Sequence, residues 1–329
     1  MDRLGGKQIG LIAVVLLFAG AFFVRAPLPI LQVAPEPVFT IGGFVITNTL
    51  LATWVTMVVL LLLFRAATSN MQLVPRGIQN VIESLVEALY DFAQSVAGPR
   101  FGKVFFPLVG TIFFFVLCNS WLSLLPGFGT IGVAKTGEHE GVVMEQAGPL
   151  LVIPPSPTIV KEGQHAPEGK LVGELVPFLR GANTDLKTTL SLALLAMFFI
   201  EFWGIKYQGL AAYGGKFVNF SGFKQGPFMG VIYFIIGIIE TISEFARIIS
   251  FTFRLFGNMF AGEVLLAVIV FLVPWVVADV FYSLELFVGI VQALVFAGLT
   301  LVFAASATAG HGGGHEDEHG HSEHAAAGH

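Results

Sequence analysis

The sequence predicts an all-α, polytopic membrane protein. Of its 329 residues, 55% are hydrophobic and only 12% are charged, whereas a soluble domain carries about 25% charged residues. Several apolar runs of about 20 residues match the ~30 Å hydrocarbon thickness of a bilayer, and the alternating strands of a membrane barrel do not occur. The small net charge of -5 gives no indication of nucleic-acid binding, and the sequence predicts no cofactor and no metal site.

Two apolar runs open the chain. The first, at 9–24, follows Arg3 and Lys7 and is either a signal peptide or a retained anchor, so that residues 1–41 form this segment and an outer linker. The second, "GGFVITNTLLATWVTMVVLLLLF" at 42–64, is long enough to cross the bilayer and ends at Arg65.

The next stretch, 74–99, changes character. Its apolar residues recur at helical spacing: Ile78, Val81, Ile82, Leu85, Val86 and Leu89. Its acidic residues, Glu83, Glu87 and Asp91, take other positions. This pattern predicts one interfacial amphipathic helix on the membrane surface. The run at 104–127 then crosses the membrane outward.

Charge sets the orientation of the following segments. The long stretch at 128–185 is rich in Gly, Pro and acids, and the span at 188–205 leads to a loop with Lys206, Lys216 and Lys224 but no acid between them. Because basic loops favour the cytoplasmic side, we expect 128–185 to lie outside.

Two long apolar segments, 228–273 and 276–306, complete the membrane domain, which we assign to 42–306. The first is roughly twice as long as a perpendicular crossing requires, so it must tilt steeply, run partly in the membrane plane, or break. Residues 307–329 form a His-rich tail that parity places in the cytoplasm. Metal buffering or pH sensing is one interpretation of this tail, but nothing in it fixes a coordination geometry, which favours a disordered, solvated segment.

Polar side chains interrupt these two segments. Residues seven positions apart lie on nearly the same face of a helix. One stripe of the first segment therefore carries Glu240, Arg247 and Arg254, with Asn258 close to it and Glu263 on the opposite side. By the same spacing, Glu285 and Gln292 share a face of the next segment.

Arg254 is the most informative of these residues. An arginine near the bilayer centre costs at least about 2.5 to 3.5 kcal/mol and keeps its charge, whereas a carboxylate can accept a proton. One interpretation is structural, with Arg254 paired to a carboxylate that fixes the helix register. Several ionisable residues in adjacent segments favour a functional role. For Glu244 and Arg247, near the cytoplasmic end, the structural interpretation is stronger.

The segment "EFARIISFTFRLFGNMFAGE" resembles the signature of subunit a of the rotary ATP synthases. Similar matches to that family are "NSWLSLLPGF", "NTDLKTTLSLALLAMFFIEFWGIKYQG" and "IVQALVFAGLTLVF", and together they cover most of 40–306. The first segment, the outer loop and the tail have no counterpart in the family core.

The resemblance implies a stator subunit that faces a c-ring with its two long, steeply tilted helices, forms two proton half-channels there, and contacts peripheral-stalk b subunits and lipid. Arg254 matches the stator arginine. The positions matching the two half-channels are Glu263 and Gln292 on the outer path, with Asn258 nearby and Asn183 and Asp185 at its mouth, and Glu240 on the cytoplasmic path. Glu285 stands where a common bacterial pattern has histidine, so two carboxylates share the outer path.

Two other function classes compete with this one. An independent secondary transporter or channel would use Arg254 to bind an anionic substrate, and a purely structural anchor would leave the polar set unexplained. The chain has no P-loop, so we expect no catalytic activity from it alone. The absence of an Arg- and Ser-rich presequence favours a bacterial plasma membrane. The choice between proton and sodium rests with the ligands of the ring.

Overall fold

A computed structural model describes residues 34–136, 141–147, 150–152, 159–160, 171–217, 226–272 and 276–309. Most of these residues are helical. The α-helices are α1 (Asn48–Thr68), α2 (Ile78–Ser123), α3 (Leu186–Gln208), α4 (Leu210–Phe217), α5 (Pro227–Leu272) and α6 (Val276–Thr308). All except α4 are long and apolar enough to cross a membrane, which confirms the predicted all-α, polytopic fold class. The first apolar run at 9–24 and the tail beyond residue 309 lie outside the described residues.

The first membrane helix begins later than predicted. Residues 42–47, assigned above to the span, belong to a hairpin of β1 (Pro37–Ile41) and β2 (Phe44–Thr47). Gly42 and Gly43 turn this hairpin with φ values of 57° and 88°, a region that glycine adopts without steric cost. The helix then starts because the Thr47 hydroxyl accepts a hydrogen bond from the Leu50 amide at 3.3 Å.

Helix α2 contains a break at the position where the amphipathic pattern gives way to the apolar run. Gly98 has non-helical dihedrals of φ 76° and ψ 165°, and Pro99, which lacks an amide hydrogen, begins the second half. The prediction of two different helical segments is therefore confirmed, although the predicted span began at 104.

Helix α5 runs for 46 residues from Pro227 to Leu272. At 1.5 Å per residue this corresponds to roughly 70 Å, about twice the thickness of the hydrocarbon core. Of the three geometries that its length allowed, a break is therefore wrong.

The stretch between α2 and α3 contains strands that were not predicted. They are β3 (Pro126–Gly129), β4 (Gly132–Thr136), β5 (Gly141–Ala147), β6 (Leu150–Val152), β7 (Ile159–Val160) and β8 (Leu171–Pro177). Five of them form an antiparallel sheet in the order β4, β8, β5, β6, with β7 also beside β5. A single turn of 3-10 helix at Ala182–Thr184 leads into α3.

The chain divides into two compact units. The first contains the described parts of Met1–Glu83, Thr111–Leu192 and Ser250–Phe296. Its core includes Ile112, Val116 and Leu255, each at most 2% exposed, and the rings of Phe251 and Phe296 lie 5.0 Å apart.

The second unit contains the described parts of Ser84–Gly110, Ala193–Ile249 and Ala297–His329. Aromatic contacts fill its core. The rings of Phe105 and Trp203 are 4.5 Å apart, and those of Phe101 and Tyr207 are 5.0 Å apart. Ile200, three residues before Trp203, is also buried.

Candidate functional site

A cavity of about 250 Å³ in the first unit collects polar side chains from distant parts of the chain. Three predicted site residues line it: Glu263 of α5, Glu285 of α6, and Asn183 of the 3-10 turn. Arg180 and Tyr282 add further polar groups to its wall. The cavity therefore joins both carboxylates that were expected on the outer path.

Glu263 is held by an arginine that was not predicted. Arg180 Nε donates to Glu263 Oε1 at 3.0 Å and Arg180 Nη2 donates to Oε2 at 3.0 Å, a two-pronged geometry that a guanidinium favours. The Arg180 side chain is only 7% exposed, whereas that of Glu263 is 39% exposed. A cation thus compensates the carboxylate while leaving part of it accessible.

A glycine on α5 makes room for Glu285. A Cβ built on Gly262 would overlap both carboxylate oxygens and Cδ of Glu285. Within the described ranges, no hydrogen bond or ion pair fixes the Glu285 carboxylate. It is therefore positioned by packing against the bare backbone of Gly262.

Asn183, which lines the cavity, and Asp185, two residues later, are both buried but make different hydrogen bonds. Asn183 Nδ2 donates to the Val116 carbonyl at 3.1 Å and to Ser120 Oγ at 3.0 Å. Asn183 is thus held by its amide nitrogen, and its amide oxygen is a buried acceptor without a partner among the described residues.

Asp185 has a structural role at the start of α3. One of its oxygens accepts from the Lys187 amide at 2.9 Å, as an N-cap does, and the other accepts from Thr49 Oγ1 at 2.9 Å. Asp185 is 5% exposed and does not line the cavity. Both oxygens are occupied, so the geometry assigns Asp185 to anchoring α3 on α1.

Arg254 has a different environment from Arg180. It is half-buried, and its Nη2 donates to Ser250 Oγ at 3.4 Å. Among the described residues, no carboxylate lies within ion-pair distance of Arg254. The internal ion pair required by the structural interpretation is therefore missing from the described part of the chain.

The structure does not bring the remaining two predicted residues of this region into the cavity. Asn258 is exposed and Gln292 is half-buried, and neither contributes to the cavity wall. Within the first unit, the cavity thus gathers Glu263, Glu285 and Asn183, and its wall includes neither Asn258 nor Gln292.

The second unit contains its own polar cluster, built around Glu240. Lys216 Nζ of α4 lies 2.6 Å from Glu240 Oε1 and 3.0 Å from Glu244 Oε1, and Arg247 Nη1 donates to Glu244 Oε1 at 2.8 Å. Arg247 Nη2 is also 3.9 Å from Glu240 Oε1. Lys216 and Glu244 were not predicted as site residues, because only the fold brings α4 onto α5.

Burial and ion pairing act in opposite directions on Lys216. Burial alone would lower the pKa of its ammonium group, but hydrogen bonds to Glu240 and Glu244 outweigh that effect and raise the pKa. Lys216 therefore stays charged at neutral pH. Glu240 and Lys216 also line a second cavity, of about 660 Å³. In the part of the chain that the structure describes, no three His, Cys, Asp or Glu side chains are grouped for a metal ion.

Known proteins were compared with the chain. The family described as "ATP synthase A chain" matches residues 50–305, which is well over half of the 329 residues. The chain belongs to this family. Among curated relatives, "ATP synthase subunit a" of Helicobacter pylori strain Shi470 is 32% identical over 276 residues, covering 82% of this chain and 95% of the relative.

A relative from Helicobacter acinonychis carries the same name and is 31% identical over 276 residues, which cover 82% of this chain and 95% of the relative. Another, from Helicobacter hepaticus, is 30% identical over 279 residues, which cover 82% of this chain and 94% of the relative. These findings confirm the resemblance drawn from the Arg254 segment. As a member of the ATP synthase A chain family, the chain is a multi-pass, ion-transporting membrane subunit of an ATP synthase.

Proposed function

We propose that this chain is the stator subunit that provides two separate half-channels for protons at the face of a c-ring. The observation that carries the proposal is Arg254, a permanent cation on α5 for which the described residues supply no carboxylate. Along α5 it lies between Glu240 of one polar cluster and Glu263 of the other. A carboxylate of the ring is the counter-charge that this arrangement requires.

In the outer half-channel, a proton enters the cavity lined by Glu263 and Glu285 and passes to a ring carboxylate. Arg180 keeps Glu263 oriented, and Asn183 lines the same cavity. Gln292 and Asn258 lie nearer the ring on this path. Asp185 supports the mouth of the path by fixing the start of α3.

The neutralised ring carboxylate then rotates into lipid, which would exclude its charged form. After nearly a full turn, another ring carboxylate loses its proton to the cytoplasmic half-channel at Glu240, whose cavity of about 660 Å³ can hold water. Arg254 attracts the ionised carboxylate and repels any proton that would pass directly between the two paths. Leakage without rotation is thereby suppressed.

The proton-motive drive is sufficient for this scheme because one charge moving through 100 mV gives about 2.3 kcal/mol, so several protons serve each ATP. The nucleotide chemistry takes place in other subunits. The proposal includes b subunits and the c-ring as partners, a bacterial inner membrane as location, and a cytoplasmic C-terminal tail at 307–329. Family membership counts against the independent transporter with Arg254 as anion site.

The experiment compares ATP-driven proton pumping and passive proton leak in vesicles that contain the whole complex. Arg254→Ala should abolish coupled pumping while leaving the leak unchanged or raised. The matched control is Arg76→Ala, an exposed arginine of the same unit, which should pump normally. Coupled pumping by an assembled Arg254→Ala complex would refute the proposal.

A further inference from the structure

The hairpin of β1 and β2 has one face that is entirely apolar. Residues directly opposite each other in an antiparallel pair lie on the same face, and so do residues two positions apart along a strand. The register pairs Phe39 with Ile46 and Ile41 with Phe44. One face of the hairpin, called the apolar face below, therefore consists of Phe39, Ile41, Phe44 and Ile46.

The apolar face begins inside the fold and ends bare. Ile46, at the base of the hairpin, is only 4% exposed. Ile41 and Phe44, beside the turn, are 64% and 62% exposed, and Phe39 lies between these extremes at 43%. An apolar surface that extends past the core of its own protein is typical of contact with a membrane or with another protein.

Hydrogen bonds fix the hairpin to the start of α1. The amide of Asn48, the first residue of α1, donates to the Glu36 carbonyl at 3.1 Å, and Asn48 Oδ1 accepts from the Glu36 amide at 3.3 Å. Helix α1 has 21 residues, so it is roughly 30 Å long and spans the hydrocarbon core of a bilayer by itself. The hairpin therefore begins where the core gives way to the headgroups.

The length of the hairpin limits its orientation in the membrane. Strand β1 has five residues, which extend about 17 Å, whereas the headgroup layer on each side of the core is only about 5 to 8 Å thick. A hairpin that stood along the bilayer normal would carry Ile41 and Phe44 through this layer into water. A hairpin that lies across the layer keeps the apolar face in contact with lipid, as an interfacial amphipathic helix does.

The composition of the hairpin agrees with that position. Residues 37–47 contain no Asp, Glu, Lys or Arg. Proteins ordinarily protect exposed strand edges in water with charged side chains, especially lysine, and this hairpin has two such edges because its sheet has only two strands. A lipid surface over the apolar face makes that protection unnecessary.

We propose that this hairpin is a second membrane contact beside α1, with Ile41 and Phe44 inserted at the boundary between the headgroups and the acyl chains. The occupant of the apolar face is thus the lipid bilayer. The contact anchors the start of α1 at a fixed depth. It is independent of the proposed function, because it requires only that α1 crosses the membrane.

The test is quenching of a bimane label in vesicles that contain the whole complex. The chain has a single cysteine, Cys118, so labels are introduced as Ile41→Cys or Phe44→Cys in a Cys118→Ser background, and the signal of that background without an added cysteine is subtracted. One quencher is a phospholipid brominated near the carbonyl end of its acyl chains, and the other is iodide in the water. The matched control is Thr40→Cys, an exposed position on the opposite face of the same hairpin.

Brominated lipid should quench the labels at 41 and 44 about twofold or more strongly than the label at 40, since an interfacial element buries its apolar side chains by about 5 to 10 Å. Iodide should show the reverse order. Labels at 41 and 44 that iodide quenches and brominated lipid does not would place the apolar face in water and refute the proposal. Protection of both labels from both quenchers would show that another protein chain covers the face, which would also refute it.

Discussion

Gly262→Ala is predicted to disable the proposed outer half-channel by moving one carboxylate. Replacing a helical glycine with alanine ordinarily stabilises a helix by about 1 kcal/mol. At Gly262, however, the new Cβ would overlap the Glu285 carboxylate, and ordinary contact begins only at 3.4 Å. The carboxylate must therefore retreat by roughly 1 Å, and a misplacement of about 1 Å in a reacting group can cost up to ~100-fold in rate. That factor corresponds to about 2.7 kcal/mol.

The assay is ATP-driven acidification of vesicles that contain the assembled complex. We expect Gly262→Ala to lower the initial pumping rate by 10- to 100-fold, on the order that such a displacement allows. The control is Gly110→Ala in α2, where the added Cβ would meet its nearest neighbour, Phe106, at an ordinary 3.6 Å. Gly110→Ala should pump like the wild type.

A second substitution separates displacement of Glu285 from a general effect on helix packing. Glu285→Asp shortens the side chain by one methylene, about 1.5 Å, which withdraws the carboxylate from the new methyl group. The double variant Gly262→Ala/Glu285→Asp should therefore pump faster than Gly262→Ala alone. Pumping by Gly262→Ala within twofold of the control, or no recovery in the double variant, would refute the reasoning.

Two further predictions follow from the ion pairs. Arg180→Gln leaves Glu263 without its cation, and breaking a fully buried pair costs about 3 to 5 kcal/mol of stability. Because Glu263 is 39% exposed, solvent reduces the expected coupling to about 1 to 2 kcal/mol, which a double-mutant cycle with Glu263→Gln on the thermal stability of the complex should measure; a coupling near zero would contradict the ion pair. Lys216 has a raised pKa, so its ion pairs stabilise the fold fully below the unfolded value of about 10.4 and are lost as pH rises through the folded value. Lys216→Met should abolish this alkaline decrease in thermal stability, and an unchanged decrease would contradict the assignment.

The membrane helices could be predicted from the sequence because apolar length and amphipathic spacing are local signals. The break in α2 at Gly98 falls at the end of the amphipathic stretch predicted at 74–99. The hairpin before α1 was missed since its residues, such as Phe44 and Val45, are as apolar as a span. The hairpin is marked by Gly42, Gly43 and the Thr47 cap. A search for long runs of apolar residues does not take these three residues into account.

The site was only partly predictable, for a different physical reason. Glu263, Glu285 and Glu240 stand out because a charge in an apolar helix is costly. Arg180 and Lys216 lie in polar or short segments, where charged residues are ordinary. Their importance comes from contacts across 83 residues between Arg180 and Glu263, and across 28 residues between Lys216 and Glu244, which no local pattern contains.

These contacts also sharpen the interpretation of Arg254. Two other arginines, Arg180 and Arg247, are each matched to a carboxylate at 3.0 Å or less. Arg254 shares α5 with Arg247, yet the described residues offer it only the Ser250 hydroxyl. A guanidinium that is half-buried in an apolar helix and keeps its charge needs a counter-charge. In the proposed function, the compensating carboxylate belongs to the ring, which presents a succession of carboxylates to Arg254 as it rotates.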